Sequence, residues 1–385
     1  MIMINTAIEF NNEAVGLQKE TNHAMAMAKL RNALNSLEGR SLTKEDDRET
    51  PQSPLHNDQM FQYKYDEGIR VFTTFLTISP DDRHDKDYVE AVIAYNLGIC
   101  CSLQNQFVLA SAYFVDTHCY LCARNFSHND SNKKIQSSLV HLNEGHNYFR
   151  AGNYEEALDS YWDAVHQAKQ DGNNDLQIGA ALNCIGVTSL TSLLQENDLS
   201  QLIRRAFAPL NSALSIFVKT CGEDGGPDTR RTHLFMATIV NNIGRVRFYA
   251  KDYEGALPFF KKAYLVRRSH YEENHIDVAI SSLYMGLCLQ NLGDADGAII
   301  QFNSWVGIML EDKNLAYLED FIDQIMHVAD LFQKDNDPAA IVFLKIALKC
   351  VSRNHDKEQP NKTVDIILSK IGRSSYQKME LKMTA

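Results

Sequence analysis

Asparagine recurs at one place in this chain. Asn12, Asn96, Asn143 and Asn242 each stand two residues before a small residue (Ala14, Gly98, Gly145 and Gly244), inside stretches with helical apolar spacing. Asn183 and Asn241 stand one place earlier relative to Gly186 and Gly244. Asn is a poor choice for a helix interior, because its short amide competes for nearby backbone groups, so its recurrence there wants a reason. A carboxamide carries both an acceptor oxygen and a donor NH2, the pair that fits the main chain of an extended peptide. The alternative is that these amides bond within their own hairpins or descend with the repeat. One turn further along the same face come His146 and Arg150, and in another copy Arg245. They add charge able to choose among partners.

Other chemistry finds little support. Cys119 and Cys122, with His118 beside them and Cys100-Cys101 on a different segment, would need four ligands converging on one point to hold zinc. Adjacent cysteines on a helix point to different faces, so structural thiols are expected and no metal. The glycines from Gly222 to Gly226 lack a following Lys-Ser or Lys-Thr, so no phosphate cradle is written there. There is no Gly-x-Ser-x-Gly elbow and no His-Glu-x-x-His spacing. Glu155-Glu156 open a helix, where they complement its dipole. Neither a catalytic constellation nor a cofactor is predicted, nor a small-molecule substrate.

The elements that must position the asparagines are written as a repeat. Gly244, Ala256, Phe260 and Ala263 are answered by Gly286, Ala298, Phe302 and Trp305, each 42 residues on. In each copy two helical patterns flank a short turn. Ile239, Ile243 and Val246 precede Ala250-Lys251-Asp252, and Tyr253, Ala256, Leu257, Phe260 and Ala263 follow on one face. Small residues at Gly244 and Ala256 admit close backbone approach, and Phe260 fills the space toward the next pair. Such a hairpin cannot bury its own apolar stripe and must stack on a neighbour.

This pattern resembles the tetratricopeptide repeat family: a small residue, Ala twelve residues later, an aromatic four beyond and Ala three further. The 42-residue interval, with Ala256-Leu257-Pro258-Phe259-Phe260 and Asn274-His275-Ile276-Asp277-Val278-Ala279, is most similar to the kinesin-light-chain branch. The resemblance implies an all-α, right-handed α-solenoid whose first helices line a concave groove. It also implies that groove asparagines hold a bound peptide's main chain and that cations beside them grip a carboxylate. Asn12, Asn96, Asn143, Asn183, Asn241, Asn242, His146, Arg150 and Arg245 are the partner-binding candidates on that basis.

Along the chain, about seven hairpins are expected. The first spans residues 1–39, with Ala14, Leu17, Ala26, Leu30 and Ala33 at the repeat offsets. Residues 40–60 read as a flexible polar loop. Residues 61–79, aromatic and β-branched around Asp66-Glu67-Gly68, read as a small β-hairpin insertion. Residues 85–352 read as a continuous solenoid. The fourth copy, around Gly186, is stretched by insertions near Gln195 to Ser200 and Cys221 to Pro227. A degenerate seventh copy carries Val328, Leu331, Ala340, Leu344 and Ala347, and residues 353–385 form a tail with a capping helix.

A net charge of -11 among 385 residues, with 44% hydrophobic and 23% charged residues, fits a folded acidic protein and disfavours general attraction to nucleic acid or anionic membranes. Lys261, Lys262, Arg267 and Arg268 cluster in one helix, where a solvated face is the expected reading. No secretory n-region and no apolar run of about 18 residues is visible, so a soluble, reducing, cytoplasmic setting without membrane insertion is expected. The function expected is non-catalytic: a scaffold or adaptor that binds a peptide or helical segment of a partner in its groove. The alternative is a structural subunit whose groove is filled by its own insertion or by fixed neighbours.

Overall fold

The computed structural model describes residues 2–19, 22–38, 75–123, 135–170, 174–196, 199–221, 229–271, 274–311, 318–334, 339–353 and 366–371. Among them are fourteen α-helices arranged as seven consecutive hairpins, and no strand. In chain order the hairpins are α1 (Ile2–Lys19) with α2 (His23–Glu38), α3 (Lys86–Leu103) with α4 (Phe107–Ala123), α5 (Ser137–Ala151) with α6 (Tyr154–Gln170), and α7 (Asp175–Gln195) with α8 (Ala208–Cys221). They continue as α9 (Thr229–Tyr249) with α10 (Tyr253–His270), α11 (Ile276–Asn291) with α12 (Ala295–Met309), and α13 (Leu318–Lys334) with α14 (Ala339–Arg353). The protein is therefore an all-α helical-hairpin repeat protein. The first four hairpins belong to one compact unit and the last three to a second, the boundary falling at Thr229 and Arg230.

The turns are set by single residues in the left-handed region. Gly152 (φ 84°) ends α5 and Gly293 (φ 84°) ends α11, where lack of a Cβ removes the steric cost. Asn105 and Lys251, both at φ 62°, do the same work in the second and fifth hairpins without glycine. After the turn, Asp252 caps α10 by accepting the Gly255 N–H at 2.9 Å and pairs with Arg247 at 2.7 Å. Asp294 caps α12 in the same way through Gly297.

Within five of the seven hairpins the two helices meet at a glycine beneath a large side chain. A Cβ on Gly98 would lie 2.7 Å from Phe114, one on Gly145 2.7 Å from Tyr161, one on Gly244 2.9 Å from Phe260, and one on Gly286 2.7 Å from Phe302. At Gly186 the opposing residue is Leu210. Each of these large residues is fully buried. In the second unit Phe302, Phe332 and Phe343 pack with ring centroids 5.5–5.8 Å apart, and Trp305 meets Phe321 edge-on at 5.0 Å. The degenerate seventh hairpin buries Val328, Ala340, Leu344 and Ala347, and a helical segment over 366–371 covers it with Ile367 and a Lys370–Asp330 ion pair at 2.6 Å.

Three expectations need adjustment. The flexible loop at 40–60 lies outside the described residues. So does most of the β-hairpin at 61–79, and its described end, Phe75 to Ser79, contains no strand. The stretched fourth hairpin resolves into a 3-10 turn, Leu199–Gln201, and a π-helical turn, Leu202–Phe207, leading into α8. Finally, Lys261, Lys262 and Arg268 are exposed, but Arg267 is 1% exposed and belongs to the interior.

Replacing Gly286 by Val should destabilise the second unit by about 1–3 kcal/mol through overpacking against Phe302. Gly307→Val, at a position where an added Cβ meets nothing within 4 Å, should be nearly neutral. Urea unfolding followed through buried Trp305 separates the two, and equal midpoints would refute the role of the glycine.

Candidate functional site

The described residues just before the 3-10 turn Pro80–His84 lie across α1 and α3, and the asparagine row meets their main chain. Asn96 accepts the Leu76 N–H at 2.7 Å and donates to the Leu76 carbonyl at 2.9 Å. Asn12 does the same for Ile78, accepting its N–H at 3.0 Å and donating to its carbonyl at 3.0 Å. Two carboxamides from two hairpins thus each satisfy both main-chain groups of one residue, at residues two apart. N–H and C=O of a single residue point to one side only in extended chain, as in a paired strand. Ser79 is extended as well, with φ -73° and ψ 144°.

Asn11, which sequence reasoning passed over, completes the arrangement. Its Nδ2 donates to the Leu76 carbonyl at 3.0 Å, and its Oδ1 accepts from Asn96 Nδ2 at 2.8 Å, joining the two clamps. A signal existed: Asn11-Asn12 recurs as Asn241-Asn242, with Asn183 matching the first member. The segment is also held by apolar burial. Phe75 and Ile78 are each 2% exposed and join the core of the first unit, while Thr77 faces water.

The other candidates are differently placed. Asn143, 3% exposed, donates to the Tyr95 hydroxyl at 2.9 Å and to the Leu139 carbonyl at 2.9 Å, tying α5 to α3. Asn183 is 2% exposed. His146 lies inside the third hairpin with Nδ1 3.1 Å from the Tyr161 hydroxyl. Burial first, and Arg150 second, depress its imidazole to about 3, so it is neutral at physiological pH and does not present the charge expected of it. Arg150 remains partly exposed and donates to Asn105 Oδ1 at 3.1 Å.

In the second unit Asn241, Asn242 and Arg245 are all buried, and Arg245 lies 5.9 Å from the Tyr284 ring centroid. Arg267 crosses from α10 to donate to the Asp277 carbonyl at 3.1 Å, Ser281 Oγ at 3.0 Å and Asn241 Oδ1 at 3.4 Å. A guanidinium bonded to three groups on two neighbouring helices is a structural pin, and its helical neighbours Lys261 and Lys262 gave no hint of it. Cys100 and Cys101 are fully buried and pushed up to about 12 chiefly by desolvation, whereas Cys119 and Cys122 are exposed.

These contacts, the glycine-under-aromatic hairpins and the 42-residue register all point to one repeat type. The tetratricopeptide-repeat profile matches residues 235–305. That segment consists of tetratricopeptide repeats. Among solved structures, the apo form of RapI is similar with a TM-score of 0.55 and 14% identity, over 95% of this chain and 99% of that one. The Rap conjugation gene regulator of the plasmid pLS20, solved with the Phr* peptide, gives 0.45 and 12%, over 97% and 96%. A Podospora anserina putative kinesin light chain with nearly identical TPR-like repeats gives 0.42 and 12%, over 58% and 100%. No curated protein matches this chain by sequence. At such identities the likeness is one of tetratricopeptide-type fold. Among the described residues one helix, α7, is long and apolar enough to cross a membrane, with hydropathy 1.3, but 89% of that window is buried among its neighbours.

Asn96→Ala should leave the Leu76 N–H without its acceptor and loosen the segment, at about 1–3 kcal/mol for an unmade buried hydrogen bond. Faster amide exchange at Leu76, with helix amides unchanged, is the expected observation. His146 sets a pH dependence of known sign. Its folded value of about 3 lies below the ordinary 6.5, so the unfolded chain binds the extra proton between those values. The stability from burying neutral imidazole is complete above about 6.5 and is lost as pH falls toward about 3. The melting temperature of His146→Gln should therefore gain on that of the natural chain across this window, and parallel curves would contradict the assignment.

Proposed function

We propose that this chain is a non-catalytic protein-interaction scaffold that holds extended polypeptide through carboxamide clamps on the first helices of its hairpins. The observation that carries this reading is the pair of bidentate contacts from Asn96 and Asn12 to Leu76 and Ile78. Main-chain pairing supplies affinity independent of side chains, while the sites receiving Phe75 and Ile78 supply apolar selectivity, as in other modes of extended-peptide capture. A partner would offer an extended segment with large apolar residues three apart and would displace the chain's own segment. Arg150, partly exposed at the end of α5, would add a charge preference. The deeply buried Asn143, Asn183, Asn241, Asn242 and Arg245 support the scaffold under this reading, and become partner contacts only if their unit opens.

The second reading is favoured by the same contacts: the segment is a fixed part of the structure and the chain an assembly subunit. Proline decides between them, because Leu76→Pro with Ile78→Pro deletes both N–H donors that the clamps accept. In the scaffold reading the released clamps bind a fluorescent Phe75–Asp81 peptide added in trans, and affinity capture with mass spectrometry recovers additional proteins. Adding Asn12→Ala and Asn96→Ala abolishes both gains. If the proline variant gains nothing and instead aggregates or melts early, the segment is structural and the scaffold reading fails.

A further inference from the structure

Between the second and third hairpins is a cluster that the peptide-holding role does not use. His141 and Glu144, three residues apart and so neighbours on one face of α5, meet His118 of α4. His118 Nε2 and His141 Nδ1 each lie 3.6 Å from the same oxygen, Glu144 Oε2, and the imidazole centroids are 4.2 Å apart. The three donor atoms all lie within 4.8 Å of one another. We infer that His118, His141 and Glu144 form a binding site for a first-row divalent transition cation of the Zn2+ type, which pins the second hairpin to the third.

Two observations support the site independently. The two imidazole–carboxylate spacings of 3.6 Å are close to those of ligands around one ion, since bonds of about 2.0–2.2 Å in a tetrahedral site put donors roughly 3.3–3.5 Å apart. The two imidazole nitrogens that converge there are sequestered from water and make no hydrogen bond. Buried polar atoms left without a partner are rare and costly, and a cation answers both nitrogens at once. Two imidazoles with one carboxylate suit Zn2+, Co2+, Ni2+ or Fe2+ better than Mg2+ or Ca2+, which prefer all-oxygen shells. Side-chain exposures of 14–21% leave the remaining positions open to water or to a donor from a partner.

The sequence hid this cluster because its members come from two helices and the eye falls on the adjacent cysteines. Those cysteines also supply the competing explanation for any zinc uptake, since Cys119 and Cys122 are exposed and at a chelating spacing. The test is titration of the metal-stripped full chain with Zn2+ by calorimetry and with Co2+ by visible absorption. One equivalent should bind, with no thiolate charge-transfer band for Co2+ and a raised melting temperature. Glu144→Gln on α5 and His118→Gln on α4 should each weaken binding at least tenfold and remove the melting shift while preserving helical circular dichroism. Cys119→Ser with Cys122→Ser should change neither. The inference is overturned if no binding is seen at tens of micromolar Zn2+, which leaves a plain His–Glu ion cluster. It is overturned equally if binding survives both Gln variants and disappears with the cysteines.

Discussion

The structure depends on a missing Cβ. Five of the seven hairpins bring their helices together at a glycine lying against a buried Phe, Tyr or Leu of the second helix, with no space for an added carbon. That contact fixes how deeply one helix sinks onto the other, and thus how much of each hairpin's apolar face remains for its neighbour. The side chain that fills the glycine's notch serves the next hairpin as well: Phe260 stacks on Tyr284 at 4.9 Å, and Phe302 touches both Phe332 and Phe343. One small residue per repeat therefore controls two interfaces. This explains why the pattern persists where other positions vary.

The same notch places the asparagines. A residue two or three positions before the glycine lies within a turn of it on the first helix, where it meets whatever element lies against that helix. In the first unit this is where Asn12 and Asn96 find main chain and Asn143 finds Tyr95. In the second, Asn241 meets Arg267. One residue type at two adjacent register positions thus has three kinds of partner: main chain, a hydroxyl and a guanidinium.

This also explains what could be read from sequence. Helices, hairpins and turns were legible because they depend on local spacing: Ala250-Lys251-Asp252 at a turn, Ala256 and Ala298 at close approaches. The recurrence of Asn12 and Asn96 marked carboxamides suited to main chain, and the main chain they meet is the chain's own. That segment was not legible, because Leu76 lies 65 residues from Asn11 and Ile78 lies 66 from Asn12, and they meet only in three dimensions. Aromatic and β-branched composition near Phe75 was read as strand, and the described segment is indeed paired, but with carboxamides in place of a second strand. Burial of charge was the least legible property. Nothing local distinguishes Arg267 from Arg268, yet one is fixed among Asn241, Asp277 and Ser281 and the other lies in solvent.

The occupant's conformation follows from hydrogen-bond accounting. A residue within a helix has already committed its N–H and C=O along the helix axis, so a carboxamide beside it can find at most a side chain or a shared lone pair. Asn143 illustrates this, reaching the Tyr95 hydroxyl on α3 and the Leu139 carbonyl of its own helix. Only chain outside regular secondary structure keeps both main-chain groups of one residue available, and only then can a single amide satisfy both, as Asn12 and Asn96 do. An amphipathic helix laid on the same surface would leave these buried amides unmatched, at a cost comparable to the bonds gained elsewhere. The contacts from Asn12 and Asn96 to Ile78 and Leu76 are therefore of a kind that extended main chain can accept and a helical segment cannot.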